Sequence, residues 1–277
     1  MPVRCSSLLL LLLLAAPLRA EVPERIVALA PHIAELLFDI GAEAQLVAVS
    51  DFSDYPEAAR QLPSVANYAQ IQLEAVLALQ PDLVIAWRTG NPQADLQRLE
   101  QLGIKVQYSD PLKLDDIASE LRWLGELTGR QQQAEARAGD FEQRLAALRQ
   151  QYQQQAPVRV FFAMSQQPLS TVANQAWPQL MLELCGAENP FAANRNDYPQ
   201  IGPEQLLLAD VELIIQPSRG AAPVQPSQWR QFSSLTAVRK GHYLAVDADL
   251  MYRFSRRSLE GASQLCEGID AVRQQRD

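Results

Sequence analysis

The sequence predicts an α/β fold of two Rossmann-like lobes joined by a single long helix, and three features predict it. Short apolar runs alternate with helical patterns along the chain, the layout of parallel sheets covered on both faces. Residues 68–85 return 130 positions later as residues 198–215. Placing YAQIQLEAVLALQPDLVI over YPQIGPEQLLLADVELII pairs Tyr68 with Tyr198, Ile71 with Ile201, Glu74 with Glu204 and Leu83 with Leu213. Burial in two α/β units explains matched Leu and Ile but not matched Tyr and Glu, so the chain reads as two similar halves flanking a cleft. Between the halves, residues 130–155 contain no proline and place Ala134, Ala138, Phe141, Leu145, Leu148 and Tyr152 at steps of four and three. That spacing makes one apolar stripe on a rod of about 38 Å.

In chain order, residues 1–20 carry Arg4, a leucine run from Leu8 to Leu14 and the small residues Ala15, Ala16 and Ala20. This is the layout of a secretory signal peptide cleaved after about Ala20. The run is shorter than the ~20 apolar residues a membrane span needs; an uncleaved anchor is the alternative. The N-terminal lobe, residues 21–110, has strands expected at 25–30, 46–50, 83–87 and 104–108, and helices at 33–41, 72–80 and 92–102. Residues 111–156 form a helical segment that includes the interlobe rod. The C-terminal lobe, residues 157–277, has a strand at 158–164, a helix at 177–185, strands at 211–216 and 242–247, and a final helix from about 257. Residues 216–227, rich in Pro, Ser, Gly and Ala, read as a surface loop. A stiff rod between lobes permits rocking by a few degrees rather than wide hinge closure.

The leader holds two arginines and no acid, so 24 basic against 32 acidic residues become 22 against 32 after cleavage, a formal charge of −10. Such a balance argues against nucleic acid as a ligand. With Cys5 removed, Cys185 and Cys266 remain. An oxidising exported compartment favours pairing them, with buried free thiols the alternative. Catalysis finds little support: there is no HExxH, GxSxG or Walker loop, and the carboxylates of Asp51 and Asp54, or of Asp247 and Asp249, read as solvated loop groups. His32 and His242 lack the neighbours of a transition-metal site. Aromatic residues are more telling. Trp87 closes the strand LVIAW and Phe52 follows LVAVS, where an open α/β sheet places its ligand. With Tyr68 and Tyr198 they supply aromatic surface from both lobes, suited to a broad, flat, largely apolar ligand with a polar edge.

The run RIVALAPHIAELLFDIGAEAQLVAVSDFSDYP, followed by LEAVLALQPDLVIAW, ELCGAENPF and WRQFSSLTAVRKGHYLAVD, resembles the periplasmic vitamin B12-binding proteins of cobalamin ABC importers. These belong to the helix-linked (class III) substrate-binding proteins, which also serve siderophores and haem. The similarity covers nearly the whole mature chain, including both cysteines. FSDYP, IAWR and the paired YxQI motifs point to the cobalamin branch. The resemblance implies a helical-backbone periplasmic binding protein that is not an enzyme and has no cofactor of its own. It would carry cobalamin or a related corrinoid between its lobes, as a monomer in the periplasm, to an inner-membrane permease dimer. It also implies ligand contacts from Phe52, Tyr68, Trp87, Tyr198 and the loop Asp249, Leu250, Met251, Tyr252 and Arg253. This chain departs from the family at 52, where tyrosine is usual, and at 68 and 198, where tryptophan is. His32 is expected to face the cleft and approach the cobalt, meet the corrin edge or serve the helix start. Glu74 and Glu204 are expected to dock onto arginines of the permease. A haem or siderophore carrier is the alternative, with Arg88, Arg195, Arg253, Arg256 and Arg257 as the cations a siderophore would call on.

Overall fold

The computed structural model describes residues 22–276, so the leader and its cleavage site lie outside the described residues. The first lobe runs β1 (Ile26–Ala28), α1 (Pro31–Asp39), β2 (Leu46–Ser50), β3 (Ser64–Ala66), α2 (Leu73–Ala78), β4 (Leu83–Trp87), α3 (Gln93–Gln101) and β5 (Val106–Ser109). Its strands are all parallel, in the order β3-β2-β1-β4-β5. The chain winds outward in both directions from β1, which leaves a crevice beyond the carboxyl ends of β1 and β4. Continuous apolar runs such as Ile26–Ala28 and Leu83–Ala86 suit strands buried on both faces. Helix α1 opens at Pro31, whose fixed φ and missing N–H fit the first helical turn.

Two helices connect the lobes, α4 (Asp116–Thr128) and α5 (Gln131–Tyr152). Gly129 ends α4 at φ +70°, the left-handed cap that glycine tolerates. A side chain on Gly125 would overlap Ala134, so α4 and α5 pack at glycine distance. The rod is 22 residues long, about 33 Å, and it buries Ala134, Ala138, Phe141, Leu145 and Tyr152 as the stripe requires.

The second lobe runs β6 (Val158–Phe162), β7 (Ser165–Gln166), β8 (Leu169–Ser170), α6 (Trp177–Leu184), β9 (Ala187–Glu188), α7 (Pro203–Ala209), β10 (Leu213–Ser218), α8 (Thr236–Lys240), β11 (Tyr243–Asp247), α9 (Ala248–Tyr252) and α10 (Ser258–Arg273). Its parallel sheet has the order β11-β10-β6-β9, with β7 and β8 forming a small hairpin. The repeat is structural: α2 and α7 begin 130 residues apart, as do β4 and β10. Cys185, just past α6, is bonded to Cys266 on α10, with Cα atoms 4.7 Å apart.

One apolar cluster extends from Ile26 and Ile85 of the first sheet through Leu121 and Phe141 of the connecting helices to Phe162, Ile215 and Leu265 of the second lobe. The lobes therefore share a core instead of meeting across a flexible strand. Two features differ from expectation. Of the loop expected at residues 249–253, all but Arg253 lies in the helical turn α9, because the Asp247 carboxylate accepts from the Asp249 N–H at 3.0 Å. The strand expected at 211–216 is β10 and continues through Ser218, pairing Pro217 and Ser218 with β11.

Candidate functional site

The candidate residues lie at the carboxyl ends of the parallel strands. After β2 the chain turns sharply at Phe52, whose φ of +64° is left-handed, a conformation a bulky residue adopts only where the surroundings impose it. The turn is tied down on both sides. The Asp51 N–H donates to Ala66 O at 2.7 Å, and the Ser64 hydroxyl donates to the Asp51 carboxylate. Tyr68 follows β3 on a loop whose Asn67 side chain accepts from the N–H groups of Ala69 and Gln70. Tyr198 sits on the matching loop, where Asp197 accepts from the Asn174 amide and Thr171 donates to Pro199 O.

Trp87 ends β4. Its N–H donates to Asn91 Oδ1 at 2.7 Å, while the Asn91 amide donates to Leu29 O, so one buried side chain joins the ends of β1 and β4. The indole lies on Gly90, where any Cβ would fall inside the ring, and meets His32 and Phe254 edge to face at 5.5 and 5.2 Å. Phe254 packs in turn on Trp177 at 4.5 Å, so a row of aromatic rings crosses from one lobe to the other.

Four aromatic side chains are exposed among the described residues: Phe52 at 65%, Tyr55 at 47%, Tyr68 at 85% and Tyr198 at 52%. All four stand on these strand-end loops, three from the first lobe and one from the second. Trp87 is half-buried beside them. Partial burial and the carboxylate of Asp197 push the Tyr198 hydroxyl above the usual tyrosine range.

Several expected contact residues lie inside the protein, His32 among them in the first turn of α1. His32 is buried; its Nε2 lies 3.2 Å from Ser109 Oγ, and burial lowers its pKa to about 3, so a neutral ring packs under Trp87 and Phe254 rather than facing the cleft. Leu250 and Met251 are buried because the α9 turn rotates them inward, with Leu250 against Gly261 of α10. Asp249 and Tyr252 stay half-exposed, and the Tyr252 hydroxyl donates to Met164 Sδ at 2.7 Å. Arg253, expected among the ligand contacts, is buried and bonded to Glu35 and Asp54 of the first lobe and to Asp249. Sequence reasoning passed over Glu35. Its signal was there: a carboxylate inside the otherwise apolar run HIAELLF demands a buried cationic partner.

Glu74 and Glu204 are exposed in the first turns of α2 and α7. His242 is held by Glu212 O and the Gln275 side chain. Among the described residues no group of three or more His, Cys, Asp or Glu is placed to hold a metal ion, and no helix is long and apolar enough to cross a membrane.

The family model for periplasmic binding proteins matches residues 26–250. The chain is 37% identical over 257 residues to a vitamin B12-binding protein of Vibrio parahaemolyticus, covering 92% of this chain and 93% of that one. Among solved structures, the periplasmic vitamin B12-binding protein BtuF of Vibrio cholerae superposes with a TM-score of 0.83 at 37% identity, over 91% of this chain and 98% of its own. The heme-binding protein RhuT from Roseiflexus sp. RS-1 shares the fold, with a TM-score of 0.80 at 22% identity over 90% and 98% of the two chains. With two α/β lobes on a helical backbone and these relatives along nearly its whole described length, the chain belongs to the periplasmic binding protein family.

Proposed function

We propose that the protein captures cobalamin or a close corrinoid between its lobes and delivers it to the inner-membrane permease dimer of an ABC importer. The gathering of every exposed aromatic ring of the described residues onto the strand-end loops carries this reading. A corrin presents two broad apolar faces and an amide rim, and aromatic surface binds such faces through burial with few directed hydrogen bonds. The relatives' vitamin B12-binding names support the same ligand. The protein is a carrier rather than an enzyme. It works as a monomer in the periplasm after loss of its leader, without a cofactor of its own; the corrinoid is cargo.

Glu74 and Glu204, exposed at matching places on the two lobes, suit a permease dimer that offers basic groups in a matching pair. The siderophore alternative loses three of its five cations, because Arg253, Arg256 and Arg257 are engaged with Glu35, Asp39, Asp54, Asp140 and Asp249, which leaves Arg88 and Arg195. Haem retains one supporting observation: exposed Tyr68 and Tyr198 offer phenolic oxygens of the kind that ligate haem iron. Mass spectrometry of the small molecule that co-purifies with periplasmic protein decides between them. A cobalt corrinoid supports the proposal, and haem overturns it.

A further inference from the structure

The five residues RFSRR, 253–257, lie between α9 and α10 of the second lobe and reach across to the first. The Arg253 side chain is 8% exposed and Glu35, inside α1, 3%. Arg253 Nη1 donates to Glu35 at 2.7 Å, and its Nη2 donates to Asp54 at 2.7 Å and to Asp249 at 3.0 Å. Ser255 and Arg257 also donate to Glu35, at 2.6 and 3.2 Å. The Arg257 guanidinium lies 3.8 Å above the ring of Tyr55, and Arg219 approaches Asp54 at 3.8 Å. Arg219, Arg253 and Arg257 of the second lobe therefore face two carboxylates of the first, Glu35 and Asp54, with the central members dry. Breaking such a cluster strands a buried charge, so it resists separation far more than an exposed pair does.

Asp54 and Tyr55 belong to the loop after β2 that carries Phe52, the exposed ring held at φ +64°. That loop is thus gripped from the opposite lobe at two successive residues, while Phe52 projects beside the grip. We propose that Arg253 and Arg257 are positioning residues: acting as a clasp on Asp54 and Tyr55, they fix the Phe52 loop against the second lobe and so set the cleft width a ligand meets. The ligand part of this inference rests on the corrinoid reading; the clasp itself does not. Arg253 then acts on the ligand through the loop, with its donors already engaged by carboxylates.

The test uses the full mature protein and three variants: Asp54→Asn, Arg253→Met and the double variant. Amide hydrogen exchange is followed over residues 51–55 without ligand, and cyanocobalamin affinity is measured by calorimetry. Asp54→Asn leaves Glu35 paired with Arg253 and Arg257, so it stays informative even if Arg253→Met fails to fold. The clasp predicts faster exchange at 51–55 in Asp54→Asn and affinity weaker by about tenfold, the effect of one charge-assisted hydrogen bond. It also predicts a double variant no weaker than the weaker single variant. Unchanged exchange in Asp54→Asn overturns the clasp. Additive losses in the double variant overturn it too, because Arg253 would then touch the ligand independently. A wild-type protein that binds no cyanocobalamin removes the corrinoid reading, and the exchange data alone then decide the clasp.

Discussion

Replacing Trp87 by alanine removes the ring on which both lobes converge. The indole rests on Gly90 and meets His32 and Phe254, and part of its surface stays uncovered. A tryptophan buries about 200 Å² when fully covered, so a ligand covering the free quarter removes about 50 Å² from water. At about 25 cal/mol per Å² this is about 1.2 kcal/mol, or roughly eightfold in Kd. The protein-facing part contributes about three times as much to stability, so Trp87→Ala unfolds at a lower temperature but remains folded at 25 °C. Calorimetry with cyanocobalamin at 25 °C, beside a thermal melt, separates the two effects. Lost stability with unchanged affinity would show that Trp87 is core and that the ligand lies elsewhere, refuting the aromatic-cleft argument.

The bond between Cys185 and Cys266 closes a loop of 81 residues, and its replacement by two serines is expected to cost about 4–5 kcal/mol of stability in the chain-entropy model while leaving ligand affinity unchanged, read from urea midpoints and calorimetry. His32 keeps its folded-state pKa near 3 against 6.5 in the unfolded chain. Below pH 6.5 the unfolded state therefore binds the extra proton, and stability falls by about 1.4 kcal/mol per pH unit until pH 3. Urea unfolding at pH 7.5 and 5 should show a loss of about 2 kcal/mol that His32→Gln removes; an equal loss in the variant contradicts this. The double change Glu74→Ala and Glu204→Ala is expected to preserve cobalamin affinity while impairing uptake, with wild-type permease binding itself weakening as salt rises. Wild-type uptake by the double variant, in cells dependent on this protein, would reduce the two glutamates to helix-start charges.

The fold was legible because its elements are written in buried periodicities. LVIAW and LVAVS are strands by continuous apolar content, and the stripe from Ala134 to Tyr152 is the buried face of α5. The repeat located α7 and β10 without further information. The exposure of the candidate aromatics was legible too, since Phe52, Tyr68 and Tyr198 stand in polar loop sequence with no core to enter. Other assignments depend on contacts that no local pattern records. His32 follows a strand end as an exposed ligand would, yet Ser109 and Phe254, distant in sequence, enclose it. Met251 and Leu250 turn inward because Asp247 caps one helical turn. Arg253 reads as a free cation until Glu35, 218 residues earlier, is placed beside it.

The central claim is that the aromatic surface between the lobes binds a corrinoid, and the most direct measurement is a titration of ligand-free protein with cyanocobalamin, followed by calorimetry and tryptophan fluorescence beside an identical titration with haemin. The account predicts saturable one-to-one binding of cyanocobalamin, with the fluorescence change lost in Trp87→Phe, and much weaker binding of haemin. No saturation with cyanocobalamin, or a preference for haemin, would contradict it.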